Sequence, residues 1–222
     1  MKPCMPVDLI VCVATELEGE LLKPHLPVIV TGVGAVNAAF ALTRFLEREG
    51  ARAIVCCGIG GAYPDAGLPL TTPVWATSET YGDLGAASDA GFLDMRALGF
   101  PVVGGPDPVY NQLPVAIFPP GRTARFVTVN TCTGNEAAAR EIAERTGGAV
   151  ENMEGAAIAH VATLYGIPSG EVRAISNPVG RRDRSAWRVK EAAAAAQEAL
   201  LAAWRAGELD DYRLKPVESG CD

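Results

Sequence analysis

Ala149-Val150-Glu151-Asn152-Met153-Glu154-Gly155-Ala156-Ala157 passes from an apolar run, through polar residues, into the start of a helix-forming stretch. Ala149 to Glu151 reads as a short strand, and Met153 to Tyr165 as a helix closed by Gly166. The same order recurs along the chain. Leu9 to Ala14, Val28 to Val30, Ala53 to Cys57, Val74 to Thr77, Phe126 to Val129 and Val172 to Ile175 read as strands. Val36 to Glu49, Asn135 to Thr146 and an Ala-rich segment from about Ser185 to Ala206 read as helices, with Asn135 as an N-cap. Nearly continuous apolar strands alternating with helices predict a single-domain three-layer α/β/α fold around a central mixed, largely parallel sheet.

Composition narrows the classes. The chain has 222 residues, 49% of them hydrophobic, which suits one domain with a sizeable core. Residues 1–206 are expected to form it, with 207–222 a flexible polar tail. Lys plus Arg is 19, Asp plus Glu is 26 and the net charge is −7, which argues against nucleic acid as a partner. No stretch approaches the ~20 apolar residues of a membrane span, and no signal peptide is legible. None of the six cysteines forms a CxxC pair. Cys12, Cys56 and Cys57 sit in strand-like runs as buried thiols, so a cytoplasmic location is expected. Two histidines without HExxH spacing predict no metal site. Residues 83–113, rich in Gly, Pro and Asp, read as a long loop or small insertion.

Open α/β sheets bind ligands beyond the carboxyl ends of their strands. Those ends carry Glu16 and Glu18, Gly32 and Gly34, Gly58-Ile59-Gly60-Gly61, Asn130 to Gly134, Asn152-Met153-Glu154, and Ser176-Asn177. Glycine after a strand also simply permits positive φ. Gly32-x-Gly34 lacks the third glycine of a dinucleotide site, and neither glycine segment ends in the Lys-Ser/Thr of a P-loop. Glu154 suits two vicinal ribose hydroxyls; it equally serves as a first-turn charge worth about 0.5 kcal/mol. Asn177 precedes Pro178 and equally starts a turn. His160 lies in an apolar helix and reads as a packed residue.

Four segments resemble the superfamily of nucleoside phosphorylases and methylthioadenosine/adenosylhomocysteine nucleosidases. They are Ala14 to Glu18, Thr31 to Ala39, Gly58 to Gly61 and Met153 to Ala159. The resemblance implies that Glu18 polarises the attacking water and that Glu154 with Met153 binds the ribose. It implies that Gly60 and Gly61 approach the base or sugar through backbone, with Asn152 and Ser176 beside them in the substrate site. Phosphorylases of this kind hold phosphate with arginines near the second glycine segment; Cys57 to Ala62 has none, so water is the implied nucleophile. Adenine-releasing members carry Asp where this chain has Asn177. An amide donates and accepts but is no general acid, and its NH2 matches N7 or O6 of a 6-oxopurine. A buried mismatch with adenine costs about 1–3 kcal/mol.

Ser176 to Trp187 resembles the corresponding stretch of the futalosine hydrolase subfamily. That likeness implies hydrolysis of a hypoxanthine nucleoside with an acidic 5′ extension, without metal or organic cofactor. A homodimer or higher homo-oligomer is implied by analogy. Arg181, Arg182 and Arg184 are either receivers of the extension or a solvated cluster. Trp187 either stacks on the base or anchors the last helix. The competing readings are a nucleosidase acting on inosine, methylthioinosine or methylthioadenosine, and a nucleoside-binding protein without catalysis.

Overall fold

In a computed structural model, residues 6–210 are described, apart from 90 and 118. Alternate residues of the central strands face opposite layers. β1 (Ile10–Val13) and β3 (Ile54–Ala62) send Val11, Val13, Val55 and Cys57 towards α5 (Val189–Arg205), where Ala192, Ala196 and Leu200 meet them. Ile10, Cys12, Ile54 and Cys56 face the other way, onto Ala38 and Leu42 of α1 (Ala35–Leu46) and Ile158 and Val161 of α4 (Gly155–Tyr165). Strands buried on both faces need no polar alternation, which is why they read as unbroken apolar runs. Each fully buried Leu or Ile here contributes about 1.5–3 kcal/mol relative to exposure. Alanines on α5 let the helix lie close against the sheet.

The remaining strands are β2 (Val28–Val30), β4 (Pro73–Tyr81), β5 (Gly85–Ser88), β6 (Gly91–Asp94), β7 (Gln112–Pro114), β8 (Thr123–Thr128), β9 (Val150–Asn152) and β10 (Ser169–Pro178). The main sheet runs β10-β4-β8-β9-β3-β1-β2, with β7 on β4. Because β10 also pairs with β3, strands β3, β10, β4, β8 and β9 close into a ring. Pairs β1–β2, β1–β3, β3–β10, β4–β8 and β8–β9 are parallel; β3–β9, β4–β10 and β4–β7 are antiparallel. The sheet is therefore mixed and largely parallel, as expected.

Several predicted boundaries change. Gly58, Gly60 and Gly61 lie within β3 rather than in a turn after it. Close approach, not chain reversal, requires them. A Cβ on Gly60 would stand 2.6 Å from Val150 Cγ1 and 3.0 Å from the Glu151 carbonyl, and one on Gly58 2.5 Å from Glu18 Oε1. β10 likewise runs through Ser176 and Asn177, with Ser176 the extra residue of a bulge against β3. The expected loop at 83–113 contains the β5–β6 hairpin, a short helix α2 (Met95–Leu98) and β7. One buried amide ties it together, since Asn111 donates to the Tyr81 and Leu84 carbonyls and accepts from Met95 N–H, and Val102, Val109 and Leu113 pack against Ala156 and Ala159 of α4. α3 (Glu136–Thr146) is capped by Asn135, which accepts from Ala138 N–H at 2.8 Å. The last helix begins after a 3-10 turn at Arg184–Ala186. Packing continues past the predicted boundary at 206, since Leu209 is 1% exposed; residues 211–222 of the predicted tail lie outside the described residues, as do Cys4 and Cys221. No helix among the described residues is long and apolar enough to cross a membrane.

Candidate active site

One cavity of about 410 Å³ opens at the carboxyl ends of β1, β3 and β10. Glu18, Gly60, Gly61, Asn152, Met153, Glu154, Ser176 and Asn177 all line it. Residues scattered over 160 positions of sequence thus share one wall, because β3 lies between β10 and the β1 and β9 ends.

Glu18 ends a 3-10 turn that follows β1 and points inward, 4% exposed. Its Oε2 accepts from Thr15 N–H at 2.9 Å and from the Thr15 hydroxyl at 2.8 Å. Its Oε1 accepts from Ile59 N–H at 3.0 Å. Three donors fix the carboxylate and leave room for a water on the cavity side.

Glu154 stands at the N-cap of α4, also 4% exposed. Its Oε1 accepts from Gly34 N–H at 2.9 Å, and its Oε2 from Arg173 Nη1 at 3.1 Å. Gly34 presents that N–H from φ +97°, a conformation other residues rarely adopt. The first glycine segment therefore serves the carboxylate. Asn152 lines the same wall, but its side chain is committed to the scaffold: Oδ1 accepts from Glu154 and Gly155 N–H, and Nδ2 donates to Glu79.

Arg173 is the feature that sequence reasoning missed. It was legible as a cation inside the apolar strand Val172 to Ile175, two residues after Glu171. It is 2% exposed. Nε donates to Glu171 Oε1 at 2.7 Å, and Nη1 to both the Ile59 carbonyl at 3.0 Å and Glu154. An arginine does reach the second glycine segment, from another strand. Nη2 donates to Cys56 Sγ at 3.3 Å. With Nε and Nη1 held by two carboxylates and a carbonyl, the guanidinium forms no open phosphate cradle.

Beneath it lies a second acid, Glu79 of β4, fully buried. A Cβ on Gly155 would stand 2.1 Å from Glu79 Oε1 and 2.2 Å from Glu171 Oε2, so both carboxyl groups crowd under the start of α4. Burial first, and then the Glu171 carboxylate, pushes the Glu79 carboxyl well above the usual carboxylate range. Thr128 Oγ1 lies 3.0 Å from both Glu79 Oε2 and Asn152 Oδ1. One hydroxyl proton serves only one of them, and a protonated Glu79 satisfies the other.

Asn177 is only half-buried. Its Oδ1 accepts from the Ser176 hydroxyl at 2.8 Å and its Nδ2 donates to the Pro178 carbonyl at 2.9 Å. These partners set which way the amide points and leave its second N–H for a ligand. Across the cavity stand Cys132 and Thr133, from the strand end at Asn130 to Gly134, and Glu151, which was read from sequence only as the end of a strand. Arg181, Arg182 and Trp187 also line the cavity, with the Arg182 guanidinium 5.1 Å from the Trp187 ring centre. Tyr81 and His160 do not line it; His160 Nδ1 is 3.2 Å from the Tyr81 hydroxyl and Nε2 is 2.9 Å from the Val102 carbonyl, a packed histidine as expected. Among the described residues no group of three or more His, Cys, Asp or Glu could hold a metal.

A ringed, mixed sheet that gathers three buried carboxylates, Glu18, Glu151 and Glu154, and the Asn177 amide at one cavity defines a class. The sequence profile of the Phosphorylase superfamily matches residues 17–206. A 5′-methylthioadenosine/S-adenosylhomocysteine nucleosidase from Neisseria meningitidis, solved with methylthio-immucillin-A, has the same fold: TM-score 0.71 at 19% identity, over 86% of this chain and 96% of that one. Nearer relatives are the futalosine hydrolases of Streptomyces coelicolor, 38% identical over 78% of this chain and 75% of that one, and of Thermus thermophilus, 35% identical over 77% of each. The chain belongs to the phosphorylase superfamily and, within it, to the futalosine hydrolase family.

The proton held by Glu79 predicts a pH dependence of stability. The folded chain keeps a proton that the unfolded chain releases above the ordinary glutamate value of 4.5. Stability is then lost as pH rises from there towards the folded value, by at most about 1.4 kcal/mol per pH unit. Glu79→Gln removes the titration. Denaturant unfolding from pH 5 to 8 should show the variant gaining on wild type as pH rises; a constant difference would contradict a proton on Glu79.

Proposed function

We propose that this protein hydrolyses the N-glycosidic bond of futalosine, a hypoxanthine nucleoside, to hypoxanthine and dehypoxanthinyl futalosine in menaquinone biosynthesis. The observation that carries it is the Asn177 amide. Oriented by Ser176 and Pro178, it offers an N–H to the N7/O6 edge of a 6-oxopurine, where a carboxylate would favour adenine. The relationship to the futalosine hydrolases supports the same reading.

The roles follow from position. Glu154, anchored by Gly34 and Arg173, accepts hydrogen bonds from the ribose hydroxyls, with Met153 against the sugar. Gly60 and Gly61 let the ligand approach backbone, and Ser176 orients Asn177. Glu18 takes a proton from a water whose oxygen bonds to C1′. The C1′–N9 electron pair leaves with the base through an oxocarbenium-like state, and the base gains its proton from solvent at N7. Glu171, Glu154, the Ile59 carbonyl and Cys56 hold the Arg173 guanidinium, which supports water as the nucleophile.

The reading includes a homodimer in the cytoplasm. Val36 and Phe40 of α1 and Leu164 at the end of α4 are exposed large apolar residues, and Val33 beside them lines the cavity. A second copy covering this face would border the active site. Light scattering should give about twice the chain mass of 23.2 kDa; a monomer at micromolar concentration contradicts it.

Chromatographic assay of base release from futalosine, inosine and methylthioadenosine tests the activity. Futalosine should give the highest kcat/KM. Glu18→Gln and Asn177→Ala should each lower it at least about tenfold, a loss of ~1.4 kcal/mol of transition-state binding. Wild-type rates in both variants, or preferred release of adenine, would refute it.

A further inference from the structure

Glu151 is a carboxylate at the cavity wall to which the ribose and water chemistry gives no task. It is 7% exposed. β9 pairs with β3 so that Glu151 stands opposite Gly61, and β10 pairs with β3 so that Asn177 stands opposite the same glycine. Residues paired across strands project to one face of a sheet. Glu151 and Asn177 therefore flank Gly61 on the cavity face, about two strand spacings apart, roughly 10 Å between backbones. Val179 packs directly onto the glycine: a Cβ there would stand 2.6 Å from Val179 Cγ2 and 3.2 Å from Asn177 Nδ2, so no side chain fits between the two polar groups. Gly61, Glu151 and Asn177 all line the cavity, so a flat bicyclic base held there lies within reach of both polar side chains.

The hydrogen bonds of Glu151 leave it unfinished. Oε1 accepts from Thr133 N–H at 3.0 Å. Oε2 accepts from the Tyr63 hydroxyl at 2.9 Å and from the Thr133 hydroxyl. A carboxylate accepts about four hydrogen bonds. The three donors hold the group rigidly and leave an open acceptor position on Oε1. Thr133 also lines the cavity.

We propose that Glu151 is a specificity residue that accepts the N1–H of a 6-oxopurine base, while Asn177 serves the N7/O6 edge. A 6-oxopurine presents a donor at N1 beside the acceptor O6. Adenine presents a lone pair at N1, which meets the Glu151 carboxylate acceptor to acceptor. The buried carboxylate and the half-buried amide thus read different parts of one edge, and each rejects the 6-amino base for its own reason. The assignment rests on the reading of the cavity as a hypoxanthine nucleoside site.

Calorimetric titration of wild type and Glu151→Gln with hypoxanthine, adenine and 1-methylhypoxanthine tests it without requiring turnover. Wild type should bind hypoxanthine at least tenfold more tightly than adenine, which matches it in size, and than 1-methylhypoxanthine, which lacks the N1–H. In Glu151→Gln the preference over adenine should shrink at least fivefold, because the amide offers adenine N1 a donor. A wild-type preserved preference in the variant overturns the assignment. So does binding of hypoxanthine and 1-methylhypoxanthine by wild type within threefold of each other, an arm that decides even if the variant does not fold. Futalosine hydrolysis by wild type with an unchanged base preference in the variant overturns the role of Glu151 and leaves the hydrolase reading standing. Failure to release hypoxanthine overturns the hydrolase reading, while the binding ratios still decide on Glu151.

Discussion

The buried guanidinium of Arg173 is the constraint on which the site depends. Among the described residues it is the one buried cation, set between the carboxylates of Glu171 and Glu154. It also grips the Ile59 carbonyl, while the Ile59 N–H holds Glu18. The backbone of one residue on β3 therefore links the carboxylate on the water side to the one on the ribose side. Removing a partner from a buried pair of this kind costs about 3–5 kcal/mol, because the other charge is left uncompensated. The fork geometry matters as much as the charge: Nε and Nη1 face different acids, and an ammonium group has no such division.

The layers around this guanidinium are built to tolerate it. Glu79 and Glu171 crowd beneath Gly155, where any side chain would collide with them. A proton on Glu79 leaves Glu171 free to balance Arg173, and the N-terminus of α4 favours the remaining negative charge. The glycines of β3 serve the same end from the other side, letting Glu18 and β9 close in. What reads as a glycine-rich turn is a strand stripped of side chains so that polar groups can meet across it.

Much of this was legible in the chain. Ile10 to Val13 and Ile54 to Cys57 announce strands buried on both faces, and the Ala-rich last helix announces its close packing. Glu18, Glu154 and Asn177 stand out because each follows an apolar run. The site residues that stayed hidden share a physical reason: their meaning lies in pairing across strands. Glu79, Glu151 and Glu171 are charges within or at the end of strands, and only the closure of β10 onto both β3 and β4 shows what they face. Residues 83–113 stayed unread because the Asn111 hydrogen bonds and three scattered apolar residues, Val102, Val109 and Leu113, order them without a hydrophobic period. The true extents of β3 and β10 were hidden because glycine and a bulged serine are poor strand signals.

The fork of Arg173 holds the two working carboxylates in register. The most direct measurement is kcat/KM for hypoxanthine release from futalosine by folded Arg173→Lys, which keeps a cation and removes the fork. It should fall at least about a hundredfold, ~2.7 kcal/mol. A folded lysine variant that hydrolyses at the wild-type rate would contradict it.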